Sequence, residues 1–282
     1  MAHASAGPVE SRGILQELLF LIAPPPHVVY LRLMFRCYAQ PSAWISGKVT
    51  LSPEETHHLF NVLRASVGDC VTVFDGHGAV ALTRLAKPGG REAILDVVEH
   101  LKPNKPDVSI TLFQALVKEQ KMDLILQKAV ELGVSRIIPL VVERSIVRLD
   151  PDSRSHRIAR WQKIVLNAAK QSGANLVPEI GPISLLADAV RAAPITDVML
   201  IGTLEGESVP FRTAIGGARA AGHKSIGVLI GPEGDFSPAE VAVAKSAGAL
   251  AVSLGEVVLR VETAALYVLS VLKYEFEPTS AA

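Results

Sequence analysis

The chain has 282 residues, with 28 basic and 28 acidic side chains, 49% apolar residues and two cysteines. This length can bury a sizeable core and exceeds one typical domain, so we expect two globular domains rather than a disordered chain. Cys37 and Cys70 allow at most one bridge and no C-x-x-C pair occurs, which disfavours a disulfide-built secreted scaffold or a structural zinc and favours the reducing cytoplasm.

The first 33 residues are interpreted as an N-terminal extension of uncertain status. The most apolar run, residues 14–35, is broken by Glu17, three prolines and Arg32, whereas a membrane-spanning helix needs about 20 mostly apolar residues. The charged start and the cleavage site of a signal peptide are also unconvincing. We therefore predict no membrane association.

Residues 49–101 are typical of a small barrel-like domain. Ser52 is the predicted N-cap of a helix that begins at Pro53, and we expect this helix to continue through Leu63. Alternating apolar residues then predict strands at 70–74, 79–85 and 93–98. A proline-rich linker at 103–106 is expected to end the domain.

Beyond the linker, strand-like and helix-like segments alternate, which indicates an α/β fold with a parallel sheet. The helical period is clear before Gly133 and over residues 158–173. Ligands of such sheets usually bind at the carboxyl ends of the strands, so we expect the chemistry there. The predicted strands are 109–116, 136–142, 198–202, 225–231 and 249–254.

The balanced total charge hides segments of opposite sign. Residues 144–170 carry seven basic and two acidic side chains, a net charge of +5, whereas residues 197–282 carry six basic and ten acidic ones, a net charge of −4. A basic segment on a neutral protein can form a surface that faces a polyanion. An ordinary solvated helix face explains it equally well.

The strongest local motif follows the strand at 225–231. Gly231-Pro232-Glu233-Gly234 leads to Ser237, which is a predicted helix N-cap with Glu240 completing a capping box. Glycines let the backbone approach a ligand closely, and a helix N-terminus offers free N–H groups. The spacing matches neither common nucleotide-binding glycine motif, and an ordinary tight loop remains an alternative.

A second glycine exit lies one strand later, at Leu254-Gly255. Arg260 and Glu262 follow it, near the predicted start of an apolar helix, where polar groups can face a site instead of the core. Two neighbouring strand ends with glycine exits predict a single pocket.

Together these motifs resemble the RsmE family of ribosomal RNA methyltransferases, which belongs to the SPOUT class. The resemblance covers about residues 34–275 and includes several further motifs in the same order. These lie at residues 57–64, 74–76, 128–134, 143–145, 171–173 and 177–179.

The resemblance implies a PUA-like β-barrel RNA-binding domain at 34–103 and a SPOUT-type α/β domain with a deep trefoil knot at 107–282. It implies S-adenosyl-L-methionine as cofactor and methylation of N3 of one uridine in small-subunit (16S) ribosomal RNA, within the small ribosomal subunit or as naked RNA. It also implies a homodimer in the cytoplasm, without a metal. A same-fold methyltransferase for another RNA, and a catalytically weakened RNA-binding or ribosome-assembly protein, remain alternatives.

The resemblance also assigns site residues. Arg260 is expected to stabilise the developing uridine anion, with Glu262 positioning Arg260 or accepting the N3 proton. The implied cofactor-binding residues are Gly202, Ile230, Gly231, Pro232, Glu233, Gly234, Leu254, Gly255, Leu259, Thr263 and Ala264.

Six basic residues are predicted to bind RNA, with a solvated surface as the alternative. Three belong to the small domain and three to the basic segment. They are Arg36, Arg64, Arg84, Arg144, Arg148 and Lys170.

Other residues have simpler interpretations or depart from the family. His57 and His58 point about 100° apart on a helix, so packing or RNA contact is favoured over metal binding. Trp161 is expected in the core. Asp235 stands where the family commonly has glycine, and Val257 where it commonly has arginine, which leaves reduced activity possible.

Overall fold

The computed structural model describes residues 35–87, 90–102, 106–145, 153–192, 196–204 and 206–277. The predicted extension, most of the predicted linker and Arg148 lie outside these ranges. Among the described residues, none of the helices combines the length and the apolar character that crossing a bilayer requires.

Two sheets are present in the described ranges, and the first has six strands in the hydrogen-bonded order β1-β4-β5-β6-β3-β2. Only β1 and β4 pair in parallel, and the other neighbours are antiparallel. Alternate side chains such as Val71, Val73 and Leu95 are fully buried in its core. The strands are β1 (Phe35–Tyr38), β2 (Trp44–Ile45), β3 (Lys48–Thr50), β4 (Cys70–Phe74), β5 (Val80–Lys87) and β6 (Ile94–Leu101).

The early helix is shorter than predicted. Ser52 caps α1 (Pro53–His57) by accepting from the Glu55 amide at 3.2 Å, as expected. The prediction that the same α-helix continues through Leu63 is wrong, because a π-helical turn occupies His58–Val62. There the Leu63 amide donates to the carbonyl of His58 at 3.0 Å, five residues back.

The second sheet has eight strands, all paired in parallel, in the order β10-β8-β7-β13-β11-β14-β12, with β9 beside β8. All five predicted strands are present. Three further strands of two residues each were missed, because so short a segment has no periodic pattern. The strands are β7 (Ser109–Ala115), β8 (Arg136–Val141), β9 (Glu179–Ile180), β10 (Ser184–Leu185), β11 (Val198–Gly202), β12 (Val209–Pro210), β13 (Ser225–Ile230) and β14 (Ala249–Ser253).

In the described residues, five helices lie between these strands and a sixth follows the last one, which gives the mixed α/β fold that the alternation predicted. Trp161 lies in the core with 2% of its surface exposed, as expected. The helices are α2 (Glu119–Glu131), α3 (Arg154–Ser172), α4 (Leu186–Arg191), α5 (Phe211–Ala220), α6 (Pro238–Ser246) and α7 (Val261–Phe276).

A tight turn between β4 and β5 contacts the segment that precedes β9. Asp75 accepts from the amides of His77 and Ala79 at 2.8 and 2.9 Å, and the Gly76 carbonyl accepts from the Val177 amide at 2.9 Å. Gly76 has a φ of 78°, and a Cβ there would lie 3.2 Å from a Val177 methyl group. Glycine is therefore required at this contact by both backbone conformation and space.

Candidate functional site

A cavity of about 290 Å³ lies at the carboxyl ends of three neighbouring strands, β13, β11 and β14. The loops after these strands and the first turn of α7 enclose it. Because β11 lies between the other two strands, segments that are far apart in the sequence meet at this edge of the sheet. The observed location agrees with the predicted pocket.

Nine of the eleven predicted cofactor-binding residues line this cavity, together with Arg260. They are Gly202, Ile230, Gly231, Pro232, Glu233, Leu254, Gly255, Leu259 and Ala264. Gly234 and Thr263 are not among its lining residues, and Thr263 is exposed. The lining also includes residues that sequence reasoning did not assign, namely Thr203, Leu204, Asp235, Val257, Val258 and Val261.

The loop after β13 is shaped by a buried aromatic ring. Phe236 is fully buried, and a Cβ at Gly231 would lie 3.3 Å from its ring. The next helix, α6, begins with the predicted capping box, in which Ser237 accepts from the Glu240 amide and Glu240 accepts from the Ser237 amide. The absence of a side chain at Gly231 therefore leaves room for the ring against the cavity wall.

Arg144, one of the predicted RNA-binding residues, lies against the same loop. Its guanidinium donates to the carbonyls of Gly234 and Phe236 at 3.0 and 3.3 Å. Arg144 therefore holds the outer side of the loop that lines the cavity.

Arg260 is the N-cap residue of α7 and is exposed at the cavity. Glu262, in the first turn, is largely buried, with 19% of its side chain exposed. Its Oε2 atom lies 3.4 Å from the Lys121 ammonium and has no hydrogen-bond partner in the described residues. The observed ionic partner of Glu262 is therefore Lys121, and within the part of the chain that the structure describes no hydrogen bond or ion pair joins Glu262 to Arg260.

Lys121 also connects Glu262 to the loop after β13. Its ammonium donates to Glu233 at 2.8 Å, which raises the pKa of Lys121 above its usual value. Burial pushes the pKa of Glu233 upward, but hydrogen bonds from Lys121 and the backbone, with the charges of Lys121 and Lys118, lower it overall. Lys121 thus bridges a carboxylate of the loop after β13 and one in the first turn of α7. It was missed because Glu233 is 112 residues away in the sequence.

The other predicted RNA-binding residues divide into two groups. Arg64, just after the π-helical turn, and Arg84, on β5, are both exposed. Arg36 is largely buried: it lies over the Phe74 ring at 4.3 Å and donates to Ala174 and Asn175, and burial lowers its pKa to about 10. Arg36 therefore contributes to the contact between the small domain and the C-terminal end of α3 with the loop that follows it.

Lys170 contributes to the same contact. Its ammonium lies 2.6 Å from the carboxylate of Glu55, and Glu55 also accepts from the Tyr38 amide at 3.1 Å. Beside this pair a cleft of about 760 Å³ separates α1 from α3, and His57, His58 and Gln171 contribute to its walls.

The structure shows where the histidine and cysteine side chains singled out by the sequence lie. His57 contacts Asn61 at 2.6 Å, and no group of three or more potential metal ligands is present in the ranges that the structure describes. Cys37 is buried and Cys70 partly buried, and both are free thiols.

Two family models match the chain. Residues 103–273 match the model of an RNA methyltransferase domain, and residues 51–98 match the model of an RNA methyltransferase PUA domain. The first match covers more than half of the chain and includes all three loops around the cavity.

Individual proteins agree with the models. The chain is 30% identical over 233 residues to ribosomal RNA small subunit methyltransferase E of Bacillus subtilis, covering 81% of this chain and 90% of the relative. It is 30% identical over 225 residues to ribosomal RNA small subunit methyltransferase E 2 of Borreliella burgdorferi, covering 77% of this chain and 87% of that protein.

A solved structure is also similar to this chain over most of its length. The crystal structure of a ribosomal RNA small subunit methyltransferase E from Neisseria gonorrhoeae, bound to S-adenosyl methionine, matches with a TM-score of 0.75. The two proteins are 33% identical, and the match covers 86% of this chain and 97% of the other. The resemblance drawn from the motifs is confirmed, and the chain belongs to the RsmE family of RNA methyltransferases.

Proposed function

We propose that the protein transfers a methyl group from S-adenosyl-L-methionine to N3 of one uridine in small-subunit (16S) ribosomal RNA. The observation that carries this proposal is the cavity at three adjacent strand ends, with Arg260 at its edge, in a chain that matches a relative bound to S-adenosyl methionine. The relatives' name supplies the small subunit as the source of the RNA. The uridine N3 atom comes from the resemblance to the family.

The cavity residues fit this cofactor. Gly202, Gly231 and Gly255 bring main-chain groups to the wall, while Ile230 and Leu254 offer apolar surface for an adenine ring. The carboxylate of Glu233 supplies negative charge suited to a cationic ligand. When bound, S-adenosyl-L-methionine supplies an electrophilic methyl group on a sulfonium.

Arg260 and Glu262 would carry the proton chemistry. Uridine N3 bears a proton at neutral pH and must lose it before it can attack the methyl group. We assign the acceptance of that proton to Glu262 and the stabilisation of the uridine anion to Arg260. The exposure of Arg260 at the cavity supports its part, because the guanidinium is accessible to a substrate.

The finer features of the family belong to the same proposal. These are the PUA-like barrel at 34–103, the SPOUT domain at 107–282 with a deep trefoil knot, the homodimer and the cytoplasmic location. The knot comes from the resemblance to the family, and it would bring together the loops after β11, β13 and β14 that line the cavity. Light scattering during size-exclusion chromatography tests the dimer.

The test of the function uses S-adenosyl-L-methionine with a labelled methyl group. Wild-type protein is given free ribosomal RNA, and separately small subunits that lack the modification, and the label is located by nuclease mapping. Label at one uridine is expected. Label at another site would indicate a same-fold enzyme for another RNA, and RNA binding without transfer would indicate a catalytically silent assembly protein.

Two variants test the catalytic assignment. Arg260→Ala should lower the transfer rate by about 100-fold or more, because one lost anion-stabilising donor typically has that effect, while the cofactor Kd stays within about twofold. Arg212→Ala, an exposed arginine on α5, is the matched control and should leave the rate unchanged. Full transfer by Arg260→Ala with normal cofactor binding would refute the role of Arg260.

A further inference from the structure

The backbone of Asp235 adopts a conformation that usually requires glycine. Its φ is 60°, in the left-handed region, which costs an ordinary residue about 1–2 kcal/mol but is better tolerated by aspartate. The resemblance to the family also leads one to expect glycine here. Asp235 adopts this left-handed conformation, and its carboxylate can make contacts that a glycine cannot.

The carboxylate of Asp235 joins two loops that are separate in the sequence. Its Oδ2 atom accepts from the Leu204 amide at 2.7 Å and from the Thr203 hydroxyl at 3.1 Å, both in the loop after β11. Its Oδ1 atom accepts from the Phe236 amide at 2.8 Å, in the loop after β13. A single side chain thus connects the ends of two neighbouring strands.

Both connected loops line the cavity, and so does Asp235 itself. The carboxylate also packs above the glycine exit, because a Cβ at Gly231 would lie 3.3 Å from Asp235 Oδ1. Leu204 is 67% exposed, so side-chain packing contributes little to holding its loop in place. Hydrogen bonds donated to a charged acceptor are stronger than those between neutral groups, which suits the carboxylate to this task.

We propose that Asp235 is a positioning residue that braces the loop after β11 against the loop after β13 and thereby sets the affinity for S-adenosyl-L-methionine. The inference rests on the proposed cofactor, and it reverses the expectation that aspartate at this position weakens the enzyme. A glycine in the same place would adopt the backbone conformation but leave the two loops unconnected.

The variants separate the carboxylate from the backbone conformation. Asp235→Gly removes the brace and suits the left-handed backbone, whereas Asp235→Ala removes the brace and retains the strain. Both should weaken S-adenosyl-L-methionine binding, measured by calorimetry, by about tenfold. They should differ in Tm, with alanine lower. Asp235→Asn keeps one acceptor oxygen and should bind with intermediate affinity.

A matched control and a kinetic measurement exclude a general effect on stability. Ser46 has a φ of 51° in the turn between β2 and β3, so Ser46→Gly makes the same backbone change away from the cavity and should leave the Kd unchanged. In Asp235→Gly the KM for the cofactor should rise with little change in kcat, because the brace acts on binding. If the affinity for S-adenosyl-L-methionine fell across the variants in step with Tm, the effect would be a general loss of stability, and the proposal would be overturned.

Hydrogen exchange tests the brace without any cofactor. In ligand-free protein, the amides of Leu204 and Phe236 should exchange at least about tenfold faster in Asp235→Gly than in wild type. Unchanged exchange at both amides would refute the brace. If wild-type protein fails to bind S-adenosyl-L-methionine, the proposed function fails instead, and the exchange rates decide separately whether the loops are connected.

Discussion

Lys170→Met removes the cation from the buried ion pair between α3 and α1. The Glu55 and Lys170 side chains are only 8% and 16% exposed, and their charged groups lie 2.6 Å apart. The substitution keeps most of the length of the side chain but leaves a buried carboxylate whose remaining neighbours include the Tyr38 amide. The variant therefore tests how strongly α3 is held against α1 of the small domain.

The expected cost follows from the burial of the pair. Removing one partner of a buried ion pair typically costs about 3–5 kcal/mol, because the other charge stays uncompensated. Glu55 retains the Tyr38 hydrogen bond, so we expect a loss of about 3 kcal/mol in the free energy of unfolding. Neutralising both partners in Glu55→Gln with Lys170→Met should recover most of this loss.

Urea denaturation of the single and double variants measures these free energies, with Lys163→Met, an exposed lysine on the same helix, as control. A loss below about 1 kcal/mol in Lys170→Met would refute the reasoning, since that is the range of an exposed pair. RNA affinity measured on the same variants separates the two roles of Lys170. Weaker RNA binding at unchanged stability would favour the phosphate contact that the sequence predicted.

Two further predictions concern titratable groups. Lys121 lowers the pKa of Glu233 against the opposing effect of burial, so this carboxylate stabilises the fold above its usual pKa of about 4.3, and the contribution is lost as the pH falls through the lowered value. Lys121→Met should raise the pKa of Glu233 in an NMR titration, and an unchanged value would contradict the observed hydrogen bond. Burial, with the charge of Glu55, raises the pKa of Cys37 to about 12. At pH about 8 a thiol reagent should therefore modify Cys70 first and Cys37 only after unfolding, and equal rates would contradict this.

The parts of the fold that the sequence could predict depend on local patterns. The strand that precedes Gly231 is a continuous apolar run, and Ser237 with Glu240 forms a capping box within four residues, so both were predictable. The helix after Ser52 was predicted correctly at its start and wrongly at its end. The spacing of the hydrophobic residues does not indicate the change to a π-helical turn at His58.

The missed parts of the site depend on contacts between distant segments. Lys121 meets Glu233 across 112 residues, and Arg36 meets Asn175 across 139. A sequence pattern shows that Lys121 and Arg36 are charged, but the order of strands in the sheet determines which group each one meets. The same holds for Asp235, which the sequence marked as a departure and the structure connects to Thr203.

The net charge of +5 on residues 144–170 has a different meaning once its partners are known. Arg160 pairs with Glu119 and Asp123 on α2, and Lys170 pairs with Glu55. These acidic partners lie outside residues 144–170, so the net charge counted over that segment leaves them out. A cation that is already paired with an acidic group of the protein releases few counterions when RNA binds. We therefore expect the polyanion contact on the exposed remainder of α3, including Arg154 and Lys163. A narrow basic surface of this kind is compatible with a neutral chain that selects one site in a large RNA, because non-specific phosphate attraction would compete with that selection.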